Sequence, residues 1–163
     1  MVQSQQPLLV AVYPGQPPAV VAEAAHLATA MNCPLVCAYA NPTRYPVTES
    51  LDGSVDSAPL DPDFMDDDGD TFPVKLAARL GKQLDPLHVQ WRALLLAGDA
   101  AAALARCAEI IHPSMIVIGT STDNHSPLHK ILSRSVAVKL ARAQRCSVLV
   151  VPVHHAAQAQ DGQ

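Results

Sequence analysis

Blocks of apolar and polar positions follow one another along the chain and predict strands and helices in turn. The first block is a continuous apolar run that ends at Pro14-Gly15, as is typical of a buried strand followed by a turn. Residues 89–96 instead alternate between apolar and polar, which indicates a half-exposed strand at a sheet edge. The predicted strands cover 8–13, 35–40, 89–96, 115–118 and 147–153.

Between these strands, apolar residues recur at the spacing of an amphipathic helix. Helices are predicted over 17–31, 73–84, 99–111 and from Ser135-Val136 to Ala143. Asp99 is suited to the N-cap of the third helix. Strict alternation of strands and helices, joined by right-handed crossovers, predicts an α/β fold. We expect one doubly wound, Rossmann-like, five-stranded parallel sheet with strand order 3-2-1-4-5 and helices on both faces.

The chain of 163 residues is predicted to form one domain over 1–153. Residues 41–70 contain several prolines and a run of aspartates without a helical or strand period, so a long acidic surface loop is expected there. Residues 154–163 are polar and are expected to form a flexible tail.

The last predicted strand, 147–153, is almost wholly apolar. A terminal strand of such a sheet lies at an edge, where an uncovered apolar strand promotes aggregation. Covering by a second copy of the same strand predicts a homodimer through 147–153.

Composition and charge exclude several function classes. The net charge of -4 argues against a nucleic-acid partner. No apolar stretch approaches the roughly 20 residues that span a membrane, and the polar N-terminus has no signal-peptide pattern. A cytoplasmic location with no membrane partner is expected. The four cysteines form no C-x-x-C pair and are interpreted as small buried hydrophobes in a reducing compartment.

Ligands of doubly wound sheets bind beyond the carboxyl ends of the strands. Three segments are expected to meet there: 12–15, 39–41 and 119–136. The third leads from Gly119 to a predicted helix start at Ser135-Val136. Free backbone N–H groups at such a start bind phosphate, and Ser135 would add a hydroxyl.

Several segments in this order resemble the universal stress protein family across 8–153. They are Leu-Leu-Val-Ala-Val at 8–12, Gly98-Asp99 before an alanine-rich helix, Ile-Val-Ile-Gly at 116–119, Leu-Ser-Arg-Ser-Val-Ala at 132–137 and Cys-Ser-Val-Leu-Val-Val-Pro at 146–152. The resemblance implies a stress-response module that binds ATP or a related adenine nucleotide at the loop 119–136.

Nucleotide-binding members of that family resemble one another in a Gly-x2-Gly-x9-Gly-Ser/Thr loop. Gly119 matches the first glycine and Ser135 the closing hydroxyl residue, whereas Thr122 and Arg134 replace the other two glycines. The loop is also two residues longer, and Tyr13 stands where binding members carry an aspartate. The nucleotide-binding residues implied by the resemblance are Val12, Tyr13, Ala40, Ile118, Gly119, Thr122, Arg134, Ser135 and Val136.

These departures leave two hypotheses open. Thr122 is β-branched and tolerates positive φ poorly. Arg134 would either fill the phosphate site or supply it with a positive charge. The first hypothesis is a nucleotide-responsive stress module, and the alternative is a nucleotide-free dimeric interaction or regulatory protein of the same fold.

An enzyme is not expected, beyond at most weak ATP hydrolysis. The Ser-Gly-Gly-x-Asp-Ser and His-x-Gly-His signatures of adenylating ligases are absent from the sequence. Tyr13 and Pro152 stand where a response regulator would need an acidic residue and a lysine. No metal site is expected, because Pro127 separates His125 from His129 and makes a shared helix face doubtful.

Overall fold

The computed structural model describes residues 5–63, 68–120 and 130–153, with the backbone alone over 130–135. The strands in chain order are β1 (Leu8–Ala11), β2 (Leu35–Asn41), β3 (Arg44–Glu49), β4 (Val55–Pro59), β5 (Trp91–Ala97), β6 (Met115–Thr120) and β7 (Ser147–Pro152). The helices are α1 (Ala19–Met31), α2 (Val74–Leu84), α3 (Ala100–Ile111) and α4 (Lys130–Ala143), and a short 3-10 helix (Asp85–Leu87) follows α2.

Five parallel strands form the main sheet in the order β5-β2-β1-β6-β7. Numbered among these five strands alone, that order is 3-2-1-4-5, so the predicted fold class is confirmed. The central strand β1 pairs Val10 with Cys37 on one side and with Val117 on the other. Strands β5 and β7 lie at the two edges, as the sequence predicted for both.

Two apolar cores cover the two faces of the sheet. Leu8 and Val10 point into the core beneath α1 and α2. Leu9 points into the core beneath α3 and α4, because successive side chains of a strand face opposite sides. Alanines supply much of the helical contact surface, and they let the helices approach the sheet closely. Among the described residues, no helix has the length and apolar character needed to cross a membrane.

The prediction of a loop without strands over 41–70 is wrong, because β3 and β4 pair as an antiparallel hairpin. Its inner face carries Arg44, which is 8% exposed and donates from Nε to Ser57 Oγ over 2.7 Å. A second Arg44 nitrogen donates to the Ser57 carbonyl over 2.8 Å. The buried side of this hairpin is occupied by an arginine and a serine instead of apolar side chains. The sequence therefore lacks the alternation of apolar and polar residues by which a half-buried strand is recognised.

The hairpin packs on β5 and α3. Glu49 forms a 2.7 Å ion pair with Arg106 of α3, and Arg92 of β5 donates to the Asp52 carbonyl over 2.7 Å. Gly53 lies at the tip, against Leu94 and Ile111. The hairpin is therefore part of the folded domain. Residues 64–67 of the predicted loop, and the predicted tail 154–163, lie outside the described residues.

Candidate functional site

The carboxyl ends of β1 and β6 lie side by side in the middle of the sheet. From β1 the chain crosses through α1 to β2 on one side, and from β6 it crosses through α4 to β7 on the other. Doubly wound sheets bind their ligands where the strand order reverses in this way. We call the space between the carboxyl ends of β1 and β6 the switch-point crevice.

Three of the residues predicted to bind nucleotide are core residues. Val12, Ile118 and Val136 are 3%, 2% and 5% exposed. Val12 belongs to the core beneath α1 and α2, whereas Ile118 and Val136 belong to the opposite core. Ala40 at the end of β2 is half-buried and packs against the core of Ile118. The structure thus places these four residues at the same end of the sheet but distributes them over its two faces.

Gly119 lies at the end of β6, where α1 packs closely on the strand. A Cβ atom added to Gly119 would lie 2.6 Å from Val20 Cγ2 and 3.5 Å from Val153 Cγ2. Both neighbours are side chains of the protein itself, and the distance to Val20 is shorter than an ordinary van der Waals contact. The absence of a side chain at this position is therefore explained by the approach of α1 to the sheet.

Tyr13 is half-buried and starts a tight turn after β1. Pro14 and Gly15 occupy its central positions, with Gly15 at φ +81°, and the Gln16 N–H donates to the Tyr13 carbonyl over 3.2 Å. Proline followed by a glycine of positive φ is the arrangement of a type II turn. This turn directs the chain from the sheet into α1 beside the switch-point crevice.

Helix α2 holds this turn from the outside. Arg79 donates to the Gln16 carbonyl, and Gln83 Nε2 donates to the Pro18 carbonyl over 2.7 Å. The Gln16 side chain is itself only 2% exposed, and its Nε2 donates to the Ala11 carbonyl at the end of β1 over 3.0 Å. Sequence reasoning missed Gln16. The available signal was a lone amide side chain directly after the Pro-Gly turn of a buried strand.

At the end of β2, Asn41 joins three parts of the chain. Its Oδ1 accepts from the Thr43 N–H and hydroxyl over 3.0 and 2.8 Å, while its Nδ2 donates to the Gly69 carbonyl over 3.4 Å. Its own carbonyl accepts from the Gly98 N–H over 2.9 Å. The side chain of Asn41 therefore holds the start of the hairpin and residue 69 against the carboxyl end of the sheet.

The expected helix start at Ser135-Val136 is wrong, because α4 begins at Lys130. Within the described part of the chain, the first turn of α4 is 130–133, and Arg134 and Ser135 lie in the turn after it. The error is one of helix boundary, because Leu132 already continues the i, i+4 spacing of Val136 and Leu140 and was not counted with the helix. Thr122 lies outside the described residues, as do His125 and His129.

None of the four cysteine thiols has a lowered pKa, which a catalytic or redox cysteine would be expected to show. Burial raises the pKa of the Cys37 thiol to about 12 and that of the Cys107 thiol to about 11. Burial also raises the pKa of the half-buried Cys33 and Cys146. Within the described ranges, no group of three or more His, Cys, Asp or Glu side chains could hold a metal ion.

Solved structures similar to this chain share its fold. A universal stress protein from Archaeoglobus fulgidus in complex with dAMP is 15% identical, with a TM-score of 0.59 over 91% of this chain and 98% of that one. A member of the family from Burkholderia pseudomallei is 23% identical, with a TM-score of 0.60 over 93% and 98%. A family protein from Arabidopsis thaliana with AMP bound is 12% identical, with a TM-score of 0.52 over 96% and 97%.

No curated protein matches the sequence. The model of the universal stress protein family, in contrast, matches residues 5–152, which is nearly the whole of the domain. The parallel sheet, the switch-point crevice and this match agree with one another, and the chain belongs to the universal stress protein family.

Proposed function

We propose that this chain is a nucleotide-responsive stress module that binds ATP or a related adenine nucleotide at the switch-point crevice. The observation that carries the proposal is the crevice itself, with the Tyr13–Gln16 turn after β1 on one side and the carboxyl end of β6 on the other. Two family members with the same fold are complexes with dAMP and AMP, which supports an adenine nucleotide as the ligand.

In this proposal the nucleoside lies beside the ends of β1 and β2, near Tyr13 and Ala40. The phosphates extend toward the first turn of α4, where the free N–H groups of residues 130–133 and the helix dipole favour an anion. Arg134 and Ser135 follow one turn later on the same helix. A guanidinium in this region would supply the positive charge that a triphosphate requires.

A second candidate function is a nucleotide-free dimeric interaction protein. The observation that favours it is the contact between Gly119 and Val20, because the space next to this glycine is filled by a valine side chain. Packing against Val20 then explains why residue 119 is glycine, and its presence does not indicate a phosphate-binding site. Both candidates include a homodimer through β7, an edge strand whose Val150 is 38% exposed.

The two candidates are separated by searching for bound nucleotide. The purified protein is denatured and released nucleotide is measured by mass spectrometry, and the emptied protein is titrated with ATP by calorimetry. Arg134→Glu and Ser135→Ala are expected to weaken binding. Arg142→Glu reverses a charge in the last turn of the same helix and serves as the matched control, with binding unchanged.

Micromolar binding that is lost in Arg134→Glu and kept in Arg142→Glu would support the first candidate. The absence of released nucleotide, together with no heat at millimolar ATP, would contradict it. The protein would then be an interaction module, and its partners would be the next subject of study.

A further inference from the structure

The amide oxygen of Gln16 is a buried acceptor without a partner among the described residues. The residue is 2% exposed, and the other end of the same amide donates to the Ala11 carbonyl. Only the NH₂ group can donate to a carbonyl, so this hydrogen bond sets which end of the amide is the oxygen. Gln16 therefore presents an oriented acceptor.

The register of β1 places the amide group of Gln16 at the border of the switch-point crevice. The pairing of β1 with β6 ends at Val10 and Val117, whereas the Val12 N–H still donates to the Ala38 carbonyl of β2. Neighbouring residues of a central strand bond to opposite neighbouring strands, so the Ala11 carbonyl faces β6. The Gln16 amide meets that carbonyl at the point where the β1–β6 ladder has stopped.

A buried acceptor without a donor carries a free-energy cost, which a ligand that brings a donor removes. The amide is neutral overall, but its oxygen carries a partial negative charge and would repel the negatively charged oxygens of a phosphate. The group that approaches Gln16 must therefore belong to the nucleoside end of a nucleotide, where ribose hydroxyls and the exocyclic amino group of adenine are donors.

We propose that Gln16 is a specificity-determining residue, whose Oε1 accepts a hydrogen bond from a ribose hydroxyl or the exocyclic amino group of the bound nucleotide. This inference rests on the proposed function, since it assumes that the crevice binds a nucleotide. It adds a residue that would select the ligand by its nucleoside, in the orientation already proposed.

The test compares the affinity of the full chain for ATP, 2′-deoxy-ATP, 3′-deoxy-ATP and inosine triphosphate. The two deoxy analogues each lack one hydroxyl, and inosine triphosphate has a carbonyl oxygen in place of the exocyclic amino group, which distinguishes the three donors. One analogue is expected to bind about tenfold more weakly than ATP, as for a hydrogen bond whose acceptor is left unpaired. In Gln16→Met, which has a similar shape without the amide, ATP and that analogue are expected to bind equally.

Gln83→Met is the matched control, because Gln83 holds the same turn through the Pro18 carbonyl but contacts it from outside. This variant should keep the discrimination. In the wild-type protein, the side-chain NH₂ signals of Gln16 should shift in ¹⁵N–¹H spectra with ATP and shift less with the weak analogue. This readout does not depend on the folding of a variant.

Equal binding of all four nucleotides to the wild-type protein would overturn the role of Gln16 and leave the proposed function intact. If Gln16→Met still binds ATP more tightly than the weak analogue, the role of Gln16 is likewise overturned and the proposed function stands. The hydrogen bond to Gln16 Oε1 would then come from water. Failure of the wild-type protein to bind any of the four would overturn the proposed function and this inference with it.

Discussion

Gly119 and Val20 are in contact so close that the glycine has no room for a methyl group, with Val20 Cγ2 2.6 Å from the position of a Cβ atom. This pair joins the end of β6 to the second residue of α1. The contact limits how closely α1 can approach the sheet at the carboxyl end of β6.

Gly119→Ala is expected to destabilise the domain by about 1–3 kcal/mol, the usual cost of overpacking a core. The cause is the clash with Val20, because Gly119 does not have a positive φ. Urea unfolding of the single variants Gly119→Ala and Val20→Ala and of the double variant measures the coupling. The alanine at 119 should cost much less when Val20 is absent, and additive effects would contradict this explanation.

Gly53→Ala is expected to be more destabilising than Gly15→Ala. Both glycines have positive φ, +88° and +81°, so both variants carry a similar backbone cost. A Cβ at Gly53 would lie 2.9 Å from Ile111 Cγ2 and 3.1 Å from Leu94 Cδ2, whereas nothing lies within 4 Å at Gly15. Thermal or urea unfolding should show a difference of about 1 kcal/mol or more. Equal losses would mean that the hairpin tip is not packed on α3.

The free energy of unfolding is expected to fall as pH rises above 9. The unfolded chain releases the proton of Cys37 near its ordinary pKa of 9.0, while the folded protein holds it until about 12. The unfolded state therefore binds fewer protons in this window, and stability decreases with pH. Urea unfolding between pH 8 and 10.5 measures the slope, which should be shallower in Cys37→Ala. An identical slope in that variant would contradict the assignment to this thiol.

The same burial predicts an order of thiol reactivity in the native protein. Cys33 and Cys146 are half-buried and should react with a thiol reagent at pH 8 before Cys37 and Cys107, which are fully buried. Mass spectrometry of peptides after brief labelling distinguishes the four sites. Early labelling of Cys37 would show that the core beneath α1 opens readily.

Val150→Glu is expected to convert the proposed dimer to a monomer, because it places a charge on the edge strand β7. Light scattering after size exclusion measures the mass of the particle. Val138→Glu is the matched control, since Val138 is 52% exposed and belongs to α4 rather than to the edge strand. A wild-type protein that is monomeric at tens of micromolar would contradict the dimer, as would loss of the dimer in both variants.

Much of the fold was predictable because its signals are local. Buried parallel strands are continuous apolar runs, and Leu8–Ala11 and Met115–Thr120 were recognised from such runs. The N-cap Asp99 was likewise recognised, and its side chain accepts from the Ala102 N–H over 3.2 Å. Alternation and crossover handedness then limit the topology to a few doubly wound sheets, among which the order 3-2-1-4-5 was expected.

The candidate site was predictable only in outline. Its position at the carboxyl ends of the strands follows from the topology, as do the segments that contain Tyr13, Ala40 and Gly119. The first turn of α4 was missed because the helix was assigned only from Ser135-Val136, although Leu132 continues the i, i+4 spacing of Val136 and Leu140. Gln16 was missed because a single amide residue after a turn has no pattern at all.

Periodicity and chain direction were enough to predict the parallel sheet, its two apolar faces and the end at which a ligand site can form. They limited the strand order to a few possibilities. Three features became clear only from the tertiary structure: the burial of Arg44 and Gly53 in the hairpin, the need for glycine at residue 119, and the position of the Gln16 amide. These features depend on contacts between residues far apart in the chain, such as Gly119 with Val20. A local pattern carries no information about which distant side chain occupies the space beside a residue.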